Sequence, residues 1–297
     1  RVDPVTGNVL SRFDPLIPAG APSGTPAFAP LGERPWGIGY NKVENSLYFG
    51  LWKESLVAGN GMVNEIYKVN LDGTGNFTGV ATLEKSVTEY AGTNDFSAPI
   101  SDLTFSDDCS KMLIGQRSMY GNIIPATQPY WAHNSSVIEF ERNTSSAWVP
   151  TAGHTSPYQT GVQLKFRVGN PSGGMNSAGG VSYGHESFAA GQPVQCDQSV
   201  WCTGDALSTT HGGGSQPWLY GLQGLPASGG TNATSALIDF NNNTSSWDKS
   251  QIGDVEVFKC VSCGPPCDSI TGSVRPVSVP GQNTGACCYR INIQNAY

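Results

Sequence analysis

The sequence predicts an all-β fold made of repeated four-stranded antiparallel units, like the blades of a β-propeller, and three observations support this. The 297 residues include 37 glycines, and only 13% of the residues are charged. This composition favours turns over helices, because glycine inside a helix costs about 1 kcal/mol relative to alanine. No stretch of helical length has a helical apolar period. In addition, one segment recurs without a gap 65 residues further along the chain.

The recurring segment is predicted to be a β-hairpin. Residues 37–50 and 102–115 each contain an alternating strand, a polar turn and a second apolar strand, and Ile38 matches Leu103 in this alignment. A third copy, between residues 181 and 204, keeps both strands and has a longer turn. We therefore expect the first two strands of three successive units at these positions.

A second marker follows each hairpin and completes the predicted unit. Residues 66–69, 137–140 and 237–240 each alternate as a strand does and lead into a turn rich in Asp, Asn and Gly. An outer strand is expected after the turn, for example at residues 77–83 or 255–258. The resulting order of strand, strand, strand, turn and strand, found three times, is the order of a propeller blade.

The N-terminal residues resemble the end of such a unit. Residues 2–8 repeat the turn and residues 9–13 repeat the outer strand. Three units and a fraction cannot close a ring of the usual roughly four to eight blades. We therefore expect pairing with other copies or a longer natural polypeptide, since an exposed strand edge invites pairing. The alternative is that residues 9–13 close a small ring against the last unit.

The composition changes after residue 258, and this change predicts the domain boundaries. We assign residues 1–258 to the blades, 259–286 to a Cys- and Pro-rich linker, and 287–297 to the first strand of a further β domain. Disulfides are expected at Cys196, Cys202, Cys260, Cys263, Cys267, Cys287 and Cys288, with Cys196–Cys202 as a local bridge across a hairpin. Cys109 has no evident partner. A zinc site built from the tail cysteines is the alternative, but no His follows at the usual spacing.

The low content of charged residues, the abundant turn residues and the clustered cysteines favour a secreted, extracellular protein. The formal net charge of -7 argues against binding nucleic acid or an anionic membrane surface, which both need clustered Lys and Arg. No apolar run approaches the roughly 18 residues of a membrane span, so membrane insertion is not expected. Candidate Asn-x-Ser/Thr acceptors occur at Asn76, Asn134, Asn143, Asn232, Asn242 and Asn243, although chance alone produces sequons in such a chain.

Catalytic signatures are not found, so no catalytic residue, metal or cofactor is predicted. The sequence has no His-Glu-x-x-His motif, no Gly-x-Ser-x-Gly elbow and no Walker loop. If the protein were a propeller enzyme, its site would be assembled from loop residues such as Asp102, Arg117, His185, Glu186, Asp205 and His211. For each of these, an ordinary loop or turn role is the favoured interpretation.

Three phrases of the sequence carry a resemblance to a known class of proteins. DLTFSDDCSKMLIGQRSM (102–119), IYKVNLDGTGN (66–76) and QIGDVEVFKC (251–260) resemble propeller segments of large secreted bacterial surface proteins, in which propeller and immunoglobulin-like modules follow one another. The terminal CCYRINIQN resembles the start of the next module. The resemblance implies a non-catalytic adhesive or structural role at the cell surface or in a filament, with other modules, further copies of the chain or surface glycans as partners. A propeller hydrolase or lyase acting on a glycan or small ester is the alternative.

Overall fold

A computed structural model places most of the described residues in antiparallel β-sheets. It describes residues 1–15, 32–53, 63–88, 96–120, 135–153, 164–169, 174–185, 195–207, 219–239, 253–257 and 291–292. Within these ranges there are three four-stranded sheets and two pairs of short strands. The helical content of the described part is a 3-10 turn at Asn232–Thr234. The all-β prediction is confirmed.

The first sheet is a meander of four consecutive strands. They are β1 (Arg34–Asn41), β2 (Ser46–Trp52), β3 (Glu65–Leu71) and β4 (Phe77–Ser86), in that spatial order. The β1–β2 turn is closed by Asn41, whose Oδ1 accepts hydrogen bonds from the backbone N–H groups of Val43 and Glu44 at 3.1 and 2.9 Å. The hairpin and third strand predicted for this unit are confirmed.

The second sheet has the same order of strands, with one pair of short strands beside it. Its strands are β6 (Ile100–Phe105), β7 (Lys111–Gln116), β9 (Val137–Arg142) and β10 (Trp148–Pro150), while β5 (Phe96–Ser97) pairs with β8 (Met119–Tyr120). Its hairpin repeats the register of the first sheet. Pro35 pairs with Leu51, and Ile100 pairs with Gln116, which is a shift of 65 residues on both strands.

The third sheet corrects the predicted strand assignment. It contains β11 (Ser177–Gly184), β12 (Ser199–Gly204), β13 (Gly221–Pro226) and β14 (Ala236–Asp239). Residues 237–240 were expected to form the third strand, but residues 236–239 form the fourth. The third strand is β13, whose sequence GLQGLP is almost wholly buried and therefore lacks the alternation of a half-exposed strand.

The last two described strands also differ from the prediction. Residues 255–258 were expected to be the outer strand of the third unit. Instead, β15 (Glu256–Val257) packs against β11, the first strand of that unit, and pairs with β16 (Ile291–Asn292). A strand was predicted within residues 287–297, and residues 291–292 form one. The linker assigned to 259–286 lies outside the described residues, and the domain division stays a prediction.

The sheets pack face to face in series, and each junction has its own apolar core. Tyr48 and Ile66 of the first sheet meet Phe105 and Trp148 of the second. The opposite face of the second sheet meets the third sheet through residues such as Leu113. The far face of the third sheet packs on β15; this core contains Trp201, Leu222, Val255 and Val257.

The N-terminal segment folds back on itself and does not form the expected outer strand. Val2 and Val9 form a single antiparallel bridge, and residues 10–13 are not in a strand. The expected turn is present, because Asp3 Oδ1 accepts the backbone N–H groups of Val5 and Thr6. Phe13 stacks on Phe77 with ring centroids 5.1 Å apart, so the segment lies beside the outer strand of the first sheet.

The predicted Cys196–Cys202 bridge is wrong. Cys202 is a free, fully buried thiol in the middle of β12, where it packs in the core between the second and third sheets. Its strand position explains this, because the side chain faces the core rather than the hairpin loop. Cys196 is disulfide-bonded, but not to Cys202 or to Cys109, which is also a free thiol. The five tail cysteines lie outside the described residues.

Candidate functional site

A buried group of polar side chains lies between the second and third sheets, and we call it the Glu139 cluster. Glu139 on β9 has a fully buried side chain and forms an ion pair with Lys165. Its Oε2 also accepts a hydrogen bond from Thr151 Oγ1 at 2.9 Å, and its Oε1 accepts one from Tyr183 Oη at 2.9 Å. Lys111 Nζ lies 3.8 Å from Oε2. The cluster therefore brings together side chains from both sheets and from the segment between them.

Burial and charge act in opposite directions on the ionisation of this cluster. Burial alone would raise the pKa of Glu139, but the hydrogen bond and charge of Lys165, the charge of Lys111 and the hydrogen bond from Tyr183 outweigh it and lower the pKa. Burial raises the pKa of Tyr183 well above its usual value, and the neighbouring Glu139 carboxylate adds to this. The cluster thus holds an ionised carboxylate and a neutral phenol beside the two lysines.

A polar cleft of about 410 Å³ opens from the cluster to solvent. Its lining residues are Lys111, Glu141, Thr151, Ala152, Lys165, Ala227 and Ser228. Glu141 is on the same strand as Glu139 and two residues along, so both side chains project from one face of β9. The cleft offers ammonium, carboxylate and hydroxyl groups, a set that suits a small polar molecule better than an apolar one.

The first and second sheets meet at a different charged group, which we call the Arg142 network. Arg142 Nη2 lies 2.9 Å from Glu44 Oε1, 2.9 Å from Tyr48 Oη and 3.3 Å from Glu84 Oε2. Lys68 pairs with the same two carboxylates at 3.2 and 3.0 Å. The Arg142 guanidinium also stacks over Trp148, 4.2 Å from the ring centroid.

A third polar feature is the carboxylate of Asp102, buried where β6 meets β11. Its Oδ1 accepts the N–H of Leu103 at 2.8 Å, and its Oδ2 accepts the N–H of Val181 at 2.7 Å. Burial raises the pKa of Asp102 well above the usual Asp value. The negative charges of Asp254 and Glu256 add to this, against the two backbone hydrogen bonds. The hydrogen bond from Val181 therefore joins the second and third sheets through Asp102.

The loop residues named from the sequence are not gathered into one site. Arg117 donates from Nη1 to the carbonyl of Ala178 at 2.9 Å, near Asp102. His185 is buried, and its Nδ1 accepts the N–H of Asp197 at 3.3 Å. Asp205 is buried after β12. Glu186 and His211 lie outside the described residues. In the described part of the chain, no group of three or more His, Cys, Asp or Glu residues is placed to hold a metal ion.

Two of the sequons lie in equivalent turns. Asn76 follows β3 and Asn143 follows β9, and both residues are exposed. Asn143 Oδ1 accepts the N–H groups of Ser145 and Ala147, as Asp72 Oδ1 accepts those of Thr74 and Asn76. These hydrogen bonds lower the pKa of Asp72 to about 2. The side chain of Asn232 and the residues Asn134, Asn242 and Asn243 lie outside the described part.

The Glu139 cluster was not predicted from the sequence. One local signal existed, because Glu139 interrupts the apolar residues of a strand that is buried on both faces, and a buried carboxylate needs a partner. Its partner Lys165 gave no signal, since it lies in a stretch that matches no repeat. Side chains from separate units meet there only after the sheets have stacked.

Comparisons with known proteins identify no relative. No protein-family model matches the chain, and no curated protein or solved structure matches it. Among the described residues, no helix has the length and hydropathy needed to cross a membrane.

Proposed function

We propose that this protein is a non-catalytic structural or adhesive module of a secreted, extracellular cell-surface or filament-forming protein, with propeller-like blades as its units. The observation that carries the proposal is the serial packing of equivalent sheets. The second and third sheets each pack one face on the preceding sheet and the other on the next sheet or strand, and the first strand of each unit takes part in these contacts. Such repetition builds an extended scaffold in which each unit buries its apolar faces against its neighbours.

The bonding of the buried carboxylates also favours a structural role over the hydrolase or lyase alternative. A general acid needs a raised pKa and a free proton, whereas Lys165 holds Glu139 ionised. Thr151, Tyr183 and Lys165 all donate to the two oxygens of Glu139, and backbone N–H groups occupy both oxygens of Asp102. Glu139 and Asp102 therefore each bond to the third sheet from the second, which is a structural use of a buried carboxylate.

An extracellular location is supported by the surface of the turns. Asn76 and Asn143 are exposed sequon residues on tight turns, where a glycan would extend into solvent without displacing a core residue. The low content of charged residues and the disulfide at Cys196 agree with an oxidising compartment. Surface glycans or further modules are the partners that this proposal implies.

A turnover screen combined with a binding assay tests the proposal. We expect the purified protein to give no turnover on chromogenic glycosides and esters, and to be retained on immobilised cell-surface polysaccharide or on protein modules of the same surface. Turnover that disappears in the Glu141→Gln variant, with the fold intact by circular dichroism, would place catalysis in the cleft and overturn the proposal. The intact mass of protein from its natural source, before and after reduction, tests the glycans and disulfides.

A further inference from the structure

One position in the first strand of every unit alternates between Gly and Asp. The shift of 65 residues places Gly37 and Asp102 at this position, and the third hairpin places Gly180 there. Asp254, just before β15, occupies the equivalent position. Asp254 Oδ1 accepts the N–H of Val255 at 2.8 Å, as Asp102 Oδ1 accepts that of Leu103 at 2.8 Å. The order along the chain is therefore Gly, Asp, Gly, Asp.

The glycines are required by the aspartates of the following unit. A Cβ at Gly37 would lie 2.7 Å from Asp102 Cα, and a Cβ at Gly180 would lie 2.7 Å from Asp254 Cα. Both distances are too short for any side chain. The contact between the first and second sheets is thus repeated between the third sheet and β15.

The aspartates in turn recognise the main chain of the next unit. Asp102 Oδ2 accepts the N–H of Val181, the residue that follows Gly180. Asp254 is exposed and lies at the far end of the described series. By the same rule, Asp254 should bind the N–H of the residue that follows a glycine at this position in the next unit.

Strand β1 of the first sheet, at the opposite end of the series, has such a glycine and such an N–H group. Gly37 is followed by Ile38, which holds the register position of Val181, so its N–H faces the same side of the strand. The side chains of Ile38 and Tyr40 are 63% and 51% exposed. The residues at these two positions in the later units are at most 7% exposed: Leu103, Phe105, Val181, Tyr183, Val255 and Val257. The face of β1 therefore lacks the sheet that covers its equivalents.

We propose that the Asp254 end of one molecule docks on the Gly37–Ile38–Tyr40 face of a second copy, head to tail. The proposal deepens the structural role proposed above by naming the partner. The Asp254 segment of the same molecule does not cover this face in the structure, because Ile38 and Tyr40 remain exposed while β15 packs on β11. A contact between two different surfaces either closes into a ring or continues as a filament, depending on the angle between copies.

Two variants, each blocking one end, test this arrangement by sedimentation. Ile38→Glu places a carboxylate opposite Asp254, and Asp254→Lys removes the acceptor for the Ile38 N–H. Each should weaken self-association by about 10- to 100-fold, the range for losing a hydrogen bond to a charged group. An equimolar mixture should restore a 1:1 dimer, because each variant keeps the end that the other lacks. Val80→Glu, at an exposed position on β4, is the matched control and should associate like the unchanged protein.

The outcomes separate this inference from the proposed function. A monomer at every concentration, or a mixture that does not restore the dimer, would overturn head-to-tail docking while surface binding without turnover still supported the module. Association lost in Ile38→Glu but retained in Asp254→Lys would indicate symmetric pairing of two β1 faces and would also overturn it. Turnover lost in Glu141→Gln would overturn the proposed function and leave the association result unaffected.

Discussion

The two charged junctions between sheets occupy the same strand position with opposite charge. Lys68 on β3 pairs with the residue two before Gly50, and Glu139 on β9 pairs with the residue two before Gly115. Gly50 and Gly115 are equivalent in the repeat, so Lys68 and Glu139 are equivalent as well. In the Arg142 network, the charged side chains are 12–30% exposed and each cation contacts two carboxylates. In the Glu139 cluster, one carboxylate with a fully buried side chain accepts hydrogen bonds from three side chains.

The repeat therefore preserves the way the sheets stack, but it does not preserve which side chains pair with the charged groups between them. An exposed network with several alternatives tolerates the loss of one member, since the remaining charges can still pair and water can enter. A single carboxylate with a fully buried side chain has no replacement, and removing it leaves Lys165, whose side chain is only 9% exposed, without its ion pair. The two junctions should therefore respond very differently to equivalent substitutions.

The largest expected effect comes from neutralising the carboxylate at each junction. Glu139→Gln leaves the Lys165 ammonium buried without its ion pair, so it should lower the free energy of unfolding by about 3–5 kcal/mol. Glu84→Gln is the matched variant in the Arg142 network, and it should cost about 1 kcal/mol or less, because Glu44 still pairs with both cations. Urea denaturation monitored by tryptophan fluorescence measures both values. Equal losses would show that burial does not distinguish the junctions.

Acid titration sharpens this comparison. The pKa of Glu139 is lowered in the folded protein, so the stability it contributes is present above its ordinary pKa of 4.5 and is lost as the pH falls through the folded value. The difference in unfolding free energy between the unchanged protein and Glu139→Gln should therefore be constant near neutral pH and shrink below about pH 4.5. A difference that stays constant down to pH 2 would mean that the ion pair does not cause it.

An intermediate effect is expected from removing one phenol hydroxyl at each junction. Tyr183→Phe leaves Glu139 Oε1 without its donor inside the core, which should cost about 1–3 kcal/mol. Tyr48→Phe removes a hydroxyl that lies 2.6 Å from Glu44 and 2.9 Å from Arg142, but these two groups still bond to each other. Its cost should be about 1 kcal/mol or less. A larger loss for Tyr48→Phe than for Tyr183→Phe would reverse the proposed ranking.

The parts of the fold that sequence predicts well are those with local patterns. The first two hairpins have alternating strands and Asx turns within about 15 residues, so local chemistry alone locates them. β13 was missed because its GLQGLP sequence is buried on both faces and contains Gly and Pro, which usually indicate turns. Residues 9–13 were assigned to a strand because they follow the right turn, yet Val9 only bridges to Val2 and residues 10–13 form no strand.

The candidate sites depended on contacts between units, and the sequence gives little signal for these. Asp102 was named as a loop candidate, whereas it is a buried link to the Val181 N–H. The Glu139 cluster needs Lys165 and Tyr183 from separate segments, and no fixed spacing relates them to Glu139. The alternation of Gly and Asp is visible in the sequence, but its meaning depends on the distance between Gly37 and Asp102.

The smallest expected effect comes from Arg142→Lys in the exposed network. Lysine keeps the positive charge for Glu44 and Glu84, but it loses the planar group that stacks 4.2 Å over Trp148 and donates to several acceptors at once. The loss should be about 0.5–1 kcal/mol at low salt, the usual range for an exposed cation–π contact. Unfolding measured at low and high salt should also show a smaller charge contribution at high salt, because the network lies close to solvent. A loss as large as that of Glu139→Gln would show that Arg142 is as indispensable as the buried carboxylate, and that exposure does not rank the two junctions.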